Sequence, residues 1–277
     1  MPQFFLPPEG LSGERFRLSG REAGHAGKSL RLEPGDFVEL FDGSGRRFEG
    51  AIETVGRDGA IEGRIVGVRA APSSAAVPRV TLYLALLKSR GWDWAVEKAT
   101  ELGVSSVAAV SCERSVVRLE SPDKIESFLA RSRRVAMAAS KQSGRPELPV
   151  LEPPRPFQEA LARALKEGPA LLAWEGAARW ARIAVPEGLQ KEINNGEAPG
   201  PGFRRDDGSI GVFIGPEGGF SPREIEEARR SKTAFFGLGP NVLRSETAAV
   251  AALSALFYEL AGDPARPGGG TGSKSFR

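Results

Sequence analysis

The sequence predicts an α/β protein in which a small β-barrel or curled sheet precedes a parallel sheet flanked by helices. Short strand-like segments separated by Asp-Gly turns fill roughly the first 70 residues. Strand-like and helix-like segments alternate from about residue 80 onward, which favours a parallel sheet. Between them, residues 70–78 are small and interrupted by prolines, which is typical of a linker.

The chain of 277 residues is long enough for about two domains at roughly 150 residues each. Residues 1–72 are predicted to form the first domain, residues 73–79 the linker and residues 80–262 the second domain. A stretch rich in Gly, Pro and Asn at about 186–209 indicates a surface insertion, and residues 263–277 indicate a flexible tail.

Composition excludes several classes of protein. The hydrophobic fraction of 40% and the charged fraction of 26% are those of an ordinary globular chain. No apolar stretch approaches the about 18–20 residues that span a bilayer, and the first residues lack the order of a signal peptide. We therefore expect a cytoplasmic protein with no membrane partner.

Scarce residue types limit the chemistry. The single Cys112 excludes an internal disulfide and multi-cysteine metal sites, and the single His25 excludes two-His metal motifs. We expect no metal, and we interpret Cys112 as a buried strand residue rather than a nucleophile. Backbone groups, Arg, Lys, carboxylates or a cofactor remain to carry the chemistry.

The charge is distributed unevenly. Lys and Arg number 38 and Asp and Glu number 35, which gives a formal net charge of +3. Residues 131–145 nevertheless contain five cations and no acidic residue, namely Arg131, Arg133, Arg134, Lys141 and Arg145. This stretch predicts a local basic patch.

The elements of the two predicted domains follow in order. In the first, strands at 37–41, 48–55 and 60–68 are separated by Asp-Gly turns, and a short helix lies between residues 21 and 31. In the second, strands are predicted at 80–87, 104–110, 170–174, 210–214 and 234–238. Helices are predicted at 92–102, ending at Gly103, and at about 122–140. Trp92 and Trp94 on the first of these helices are interpreted as packing residues.

The turn after strand 210–214 carries the sharpest local signal. Residues 215–220 contain three glycines, which leave backbone amides open to a ligand. Ser221, Pro222 and Glu224 then form a capping box with proline at its tolerated position, which predicts the start of a helix. The glycine spacing is neither a dinucleotide fingerprint nor a Walker loop, and a plain connector remains an alternative.

A second turn of this kind follows strand 234–238 and leads into an apolar helix at 248–260. That helix has no polar face before Glu259, so we expect it to be buried on nearly all sides, in the core or at a subunit interface. Arg244 and Glu246 stand where it begins. Facing a substrate is one role for this pair, and pairing with each other or with solvent is the alternative.

Several ordered motifs together resemble one known family. They are Gly215-Pro216-Glu217-Gly218-Gly219-Phe220-Ser221, then Leu238-Gly239-Pro240-Asn241-Val242-Leu243-Arg244-Ser245-Glu246-Thr247-Ala248, and further matches at Lys88, 98–104, 113–116 and 142–145. The chain resembles the bacterial ribosomal small-subunit RNA uracil-N3 methyltransferases, members of the SPOUT superfamily. The resemblance covers nearly the whole chain except the insertion and the tail.

The resemblance implies a PUA-like RNA-binding barrel and a trefoil-knotted SPOUT α/β domain that binds S-adenosylmethionine and works as a homodimer. The implied cofactor-binding residues are Trp174, Ile214, Gly215, Pro216, Glu217, Gly218, Gly219, Leu238, Gly239, Asn241, Val242, Leu243 and Thr247. The implied partner is small-subunit ribosomal RNA or its precursor particle. Composition and periodicity would not predict the knot, because knots are nearly absent from folds in general.

Uracil N3 is protonated at neutral pH, so the enzyme must favour the deprotonated base and align it with the methyl donor. We expect Arg244 to stabilise the developing anion and Glu246 to orient Arg244 or relay the proton. The candidate RNA-binding residues are His25, Arg31, Lys88, Arg114, Arg131, Arg134, Gln142 and Arg145.

Three other functions stay open on the sequence alone. A related SPOUT enzyme would methylate a ribose or another base, for example in transfer RNA. A non-catalytic RNA-binding protein would keep the barrel and basic patch without needing a cofactor. A metabolic α/β enzyme would need neither of those features.

Overall fold

The computed structural model describes residues 1–56, 59–70, 79–177 and 209–260. The chain divides into two compact units. Unit 1 comprises Met1–Ser74 and Arg133–Pro149, and unit 2 comprises Ala75–Ser132 and Val150–Arg277. The predicted tail, and nearly all of the predicted insertion and of the predicted linker, lie outside the described residues.

Unit 1 is built on a six-stranded sheet curled into half a barrel, with strand order β1-β4-β5-β6-β3-β2. Its strands are β1 (Gln3–Phe5), β2 (Leu11–Ser12), β3 (Arg15–Leu18), β4 (Phe37–Phe41), β5 (Arg46–Val55) and β6 (Ile61–Ala70). β1 and β4 are parallel, and the other neighbouring strands are antiparallel. The antiparallel pairing of β4, β5 and β6 confirms the two predicted Asp-Gly connections.

Alternating side chains explain the curled sheet of unit 1. Val38 and Leu40 of β4 are both fully buried and belong to the core of this unit, together with Phe16 and Phe48. The ring of Phe16 packs so closely on the sheet that a Cβ atom at Gly63 would lie 2.6 Å from it. Glycine is therefore required at this position of β6.

The helical stretch predicted between residues 21 and 31 is present. It consists of α1 (Gly20–Gly24), which continues into a π-helical turn (His25–Ser29). Arg31 follows with a φ of 54°, a left-handed conformation that ends the helical stretch.

Unit 2 contains a six-stranded sheet in which every neighbouring pair is parallel, with strand order β12-β10-β11-β7-β8-β9. The strands are β7 (Arg79–Ala85), β8 (Ser106–Ser111), β9 (Val150–Pro156), β10 (Ala170–Ala173), β11 (Ser209–Ile214) and β12 (Ala234–Phe236). The helices that follow β7 within the described residues are α2 (Ser89–Leu102), α3 (Pro122–Ser143), α4 (Phe157–Glu167), α5 (Pro222–Arg230) and α6 (Ser245–Leu260). The predicted parallel sheet is confirmed.

The core of unit 2 lies where apolar strands meet amphipathic helices. Tyr83 of β7 stacks on Phe213 of β11 at 4.4 Å between ring centroids, and Phe157 of α4 meets Phe213 edge-on at 5.9 Å. Gly103 ends α2 with a φ of 103°, as the sequence predicts. No helix in the described ranges is long and apolar enough to cross a membrane.

α6 differs from its prediction. Leu253 and Leu256 are fully buried, but Ala255 is exposed and Tyr258 is 81% exposed. Burial on nearly all sides is therefore wrong for the single chain, because the exposed positions repeat at helical spacing on one face. Of the two predicted environments, the subunit interface remains available for that face.

Candidate functional site

The three loops predicted to bind a cofactor leave the same edge of the sheet of unit 2. They begin after β10 at Trp174, after β11 at Gly215 and after β12 at Gly237. These three strands are neighbours and run parallel, so their carboxyl ends lie side by side. Ligands of open parallel sheets bind at this edge.

The loop after β11 has the local structure that its sequence predicts. Ser221 is the N-cap of α5, its Oγ accepts a hydrogen bond from Glu224 N at 3.2 Å, and Ser221 N donates to Glu224 Oε2 at 2.7 Å. This reciprocal pair confirms the capping box. Gly219 has a φ of 69°, and a Cβ atom there would lie 3.3 Å from Glu175 Oε1 of the neighbouring loop.

The loop after β8 braces the same segment. Glu224 is only 2% exposed, and its Oε1 accepts a hydrogen bond from Glu113 N at 2.9 Å. Arg114 donates from Nη1 to Gly218 O at 3.1 Å and to Phe220 O at 3.4 Å. The hydrogen bonds of Glu224 and of Arg114 thus both stabilise residues 215–220. Arg114, which is predicted to contact RNA, donates here to two loop carbonyls.

The loop after β12 presents main-chain groups. Gly239 has a φ of 106°, and Val242 is 86% exposed. The amides of Gly239 and of residues 241–243 donate no hydrogen bond to any other described residue. Open amides beside glycines with positive φ suit a polar nucleoside gripped by backbone, so these residues fit S-adenosylmethionine.

Trp174 begins the third of these loops, which follows β10. Its amide donates to Phe236 O at 3.0 Å, which ties the loop after β10 to β12. Its ring lies 5.8 Å from that of Phe235, and Arg229 Cζ lies 5.1 Å from the Trp174 ring centroid. Ile214 and Pro216 are buried, whereas Glu217 and Gly218 are exposed, so only part of the predicted set faces outward.

A cavity of about 710 Å³ adjoins these loops. Five of the predicted site residues line it, namely Lys88, Glu217, Arg244, Glu246 and Thr247. Its other wall is the beginning of α2, with Lys88, Arg90, Gly91 and Trp94. The volume is in the about 300–1,000 Å³ range of small-molecule sites.

Arg244 and Glu246 are placed by the start of α6. Arg244 O accepts the first helical hydrogen bond, from Ala248 N at 2.8 Å. Within the described residues, neither the Arg244 guanidinium nor the Glu246 carboxylate makes a hydrogen bond or ion pair. A Cβ atom at Gly91 would lie 3.5 Å from Glu246 Oε2, so that carboxylate packs against the first turn of α2.

The sequence-based predictions of site residues do not include Arg90 and Gly91, and they interpret Trp94 as a packing residue. Trp92 is buried and donates from Nε1 to Ser132 Oγ at 2.9 Å, as a packing residue should. Trp94, in contrast, is 39% exposed and lines the cavity. The sequence order could have indicated these residues. They follow β7, and a strand parallel to β11 ends at the same edge of the sheet as the cofactor loops.

The predicted RNA-binding residues are divided between the units. Lys88, Arg114 and Arg131 belong to unit 2, and His25, Arg31, Arg134, Gln142 and Arg145 belong to unit 1. His25, Arg31, Arg134 and Gln142 are exposed. Arg145 is partly buried, and burial lowers its pKa. The structure therefore leaves most of this set accessible to RNA.

Three of the five cations of the basic stretch already have partners, and Arg145 is one of them because it interacts electrostatically with Glu147. Arg131 Nε donates to Asp93 at 3.0 Å, and Lys141 Nζ lies 2.8 Å from a Glu22 carboxylate oxygen. Arg133 and Arg134 make no ion pair within the described part of the chain. The basic patch is therefore smaller than its composition indicates.

Cys112 is 2% exposed, and burial raises the pKa of its thiol, with the Glu224 carboxylate acting in the same direction. A thiol that stays protonated is a poor nucleophile. The predicted burial of Cys112 is confirmed, but the residue lies just after β8 and not within a strand. Within the described ranges, no group of three or more His, Cys, Asp or Glu side chains is placed to hold a metal ion.

Comparison with known proteins gives consistent matches. A family model described as an RNA methyltransferase domain matches residues 74–257, and one described as an RNA methyltransferase PUA domain matches residues 18–61. The ribosomal RNA small subunit methyltransferase E of Mycobacterium bovis is 30% identical over 243 residues, which is 86% of this chain and 84% of that protein.

Solved structures with this fold include two that contain S-adenosylmethionine. A Legionella pneumophila methyltransferase with that bound cofactor has a TM-score of 0.77 and 28% identity, covering 92% of this chain and 96% of the other. A Neisseria gonorrhoeae ribosomal RNA small subunit methyltransferase E bound to the same compound has a TM-score of 0.76 and 27% identity, with 93% and 97% covered.

Proposed function

We propose that this chain, which belongs to the family of RNA methyltransferases that includes the ribosomal RNA small subunit methyltransferases E, uses S-adenosylmethionine to methylate N3 of a uridine in small-subunit ribosomal RNA. The observation that carries the proposal is the meeting of three backbone-rich loops beside a cavity containing Arg244 and Glu246. Family membership supports the cofactor and the class of RNA, and the resemblance in sequence supports N3 of uracil.

The loops would hold the cofactor mainly through main-chain groups. Within the described residues, the amides of Gly239 and Leu243 are open donors, and the exposed Gly218 carries no side chain over the backbone of the loop after β11. When bound, S-adenosylmethionine supplies an electrophilic methyl group on a sulfonium ion. Thr247 and Glu217 line the adjoining cavity, at the boundary between the cofactor loops and the substrate.

Arg244 and Glu246 perform the proton and charge chemistry in this proposal. The N3 proton of uracil must leave before or during formation of the N3–methyl bond. The Glu246 carboxylate accepts it, directly or through water, and passes it to solvent. The Arg244 guanidinium stabilises the negative charge that develops on the uracil ring. Both groups suit these roles because neither is neutralised by a protein partner among the described residues.

The cofactor is tested by calorimetry with S-adenosylmethionine. We expect heat of binding for the wild-type protein and an affinity about tenfold weaker for Gly219→Ala. The alanine would be strained by roughly 1–2 kcal/mol at a φ of 69° and would press on Glu175. Gly13→Ala is the matched control, because Gly13 has a φ of 59° and open space around it.

Absence of heat with the wild-type protein would contradict the proposed function and favour a non-catalytic RNA-binding protein. If heat is seen, mass mapping of ribosomal RNA with and without the protein separates uracil N3 from ribose or other base methylation. Equal weakening by Gly13→Ala and Gly219→Ala would show that the cofactor does not use the loop after β11.

RNA contact by the basic stretch is tested by salt dependence. Arg134 is exposed and has no ion-pair partner among the described residues, so it is free for a phosphate. We expect Arg134→Ala to reduce the slope of log affinity against log salt by about 0.7–0.9, the value of one lost phosphate contact. Arg230→Ala, which removes an exposed cation paired with Glu226, should leave the slope unchanged. Equal slopes for the wild type and Arg134→Ala would exclude this contact.

The resemblance also leads us to propose a homodimer, a trefoil knot and a cytoplasmic location. The exposed face of α6, with Ala255 and Tyr258, supports the homodimer because apolar helix surface in water is costly.

A further inference from the structure

The first turns of α2 present an aromatic side chain that the fold does not use. Trp92 is 2% exposed, lies 4.7 Å from Phe128 between ring centroids and donates its indole hydrogen to Ser132. Trp94 has no hydrogen bond and no ring contact within the described residues, although it lines the cavity. Packing of α2 thus involves Trp92, whereas Trp94 is 39% exposed where it borders the cavity.

The cations on the same wall are also unpaired. Lys88 and Arg90 are exposed and make no ion pair within the described ranges. Elsewhere on α2 the charges are neutralised, since Lys98 lies 2.8 Å from both Glu97 and Glu101. Free cations are therefore concentrated where α2 borders the cavity, as a phosphate-binding wall requires.

The opposite wall carries the proposed catalytic groups. Arg244, Glu246 and Thr247 at the start of α6 face the cavity together with Glu217 of the cofactor loop. A ligand between the two walls would contact an indole and two cations on one side and the reacting groups on the other. Single-stranded RNA is bound by aromatic stacking together with phosphate contacts.

We propose that the cavity of about 710 Å³ is the pocket for the target uridine, with the uracil stacked on Trp94 and the adjacent phosphates contacted by Lys88 and Arg90. This inference rests on the proposed methylation and adds the residues that recognise the nucleotide. Stacking places the uracil ring beside Arg244 and Glu246, and the two cations fix its backbone. Trp94 and Arg90 are therefore specificity residues for the RNA, whereas the cofactor lies against the adjoining loops and reaches the cavity at Glu217 and Thr247.

The test uses single-turnover methylation of a ribosomal RNA fragment by the full chain over a range of RNA concentrations. Trp94→Ala is expected to raise the half-saturating RNA concentration by about tenfold or more, within the range measured for loss of one stacked base. Trp94→Phe should restore it to within about threefold of the wild type. S-adenosylmethionine affinity should be the same in all three proteins.

A spectroscopic readout separates stacking from a structural role. Binding of the RNA fragment should quench tryptophan fluorescence in the wild type, and Trp94→Phe should remove most of that quench. An RNA that lacks the base at the target position should bind the wild type and Trp94→Ala equally well. Arg90→Gln should weaken both RNAs to the same degree, whereas Arg230→Gln, outside the cavity, should weaken neither.

The outcomes distinguish this inference from the function on which it rests. If the wild type neither binds S-adenosylmethionine nor methylates RNA, both fail. The uridine pocket alone is wrong in two cases. In the first, the wild type is active and Trp94→Ala has the same half-saturating RNA concentration; in the second, Trp94→Phe keeps the full fluorescence quench. A parallel loss of cofactor affinity in Trp94→Ala would assign the cavity to the methyl donor and also overturn the inference.

Discussion

Arg244→Ala is expected to slow single-turnover methylation at saturating cofactor and RNA by at least about tenfold. A typical loss for one charge-stabilising donor is about 100-fold or more, equivalent to roughly 2.7 kcal/mol. The physical reason is that the Arg244 cation lies just before the first residue of α6 and lines the cavity beside Glu246. Loss of its positive charge leaves the developing uracil anion without that stabilisation.

Cofactor affinity and thermal stability are the controls for this variant. The Arg244 side chain is exposed and makes no ion pair within the described residues, so its removal should leave unfolding unchanged. Arg244→Lys keeps the charge but not the planar fork, and an intermediate rate is expected. Methylation by Arg244→Ala near the wild-type rate would exclude this role for Arg244.

Glu224→Ala is expected to lower the free energy of unfolding by about 2–4 kcal/mol and to weaken cofactor binding. The carboxylate of Glu224 accepts hydrogen bonds from Ser221 N and Glu113 N while 2% exposed. Its removal leaves two amides without their acceptors, each costing about 1–3 kcal/mol where water cannot replace it. Chemical denaturation measures the first effect, and calorimetry with S-adenosylmethionine measures the second.

Ser221→Ala is the matched control because it removes only the other half of the capping box. Its expected cost is about 0.5–2 kcal/mol, and the bond from Glu113 N remains. If Glu224→Ala is no more damaging than Ser221→Ala, the bond to Glu113 does not brace the loop. Unchanged cofactor affinity in a destabilised Glu224→Ala protein would confine Glu224 to folding.

Much of the site could be predicted because it depends on local sequence. The order Ser221, Pro222, Glu224 specifies a helix start by itself, and the structure has that capping box. Apolar runs separated by helices predicted parallel strands, whose carboxyl ends necessarily share an edge. Predictions of this kind require only neighbours in sequence and the general rules of α/β sheets.

Contacts between distant residues could not be predicted in this way. The bond from Glu113 N to Glu224 spans 111 residues, and no local pattern indicates it. Trp92 and Trp94 are indistinguishable by residue type. Trp92 is buried because it packs against Phe128 and Ser132, whereas Trp94 remains partly exposed. Likewise, the clustering of Arg133–Pro149 with unit 1 depends on tertiary contacts.

The strand order of unit 2 also affects how the chain is completed during synthesis. β10 is flanked by β11 and β12, both of which come later in the sequence. Until residues 234–236 have been synthesised, β10 has an unpaired edge, and unpaired strand edges promote aggregation. The loop after β12, Arg244 and Glu246 follow still later in the sequence, so an unfinished chain lacks a large part of the site.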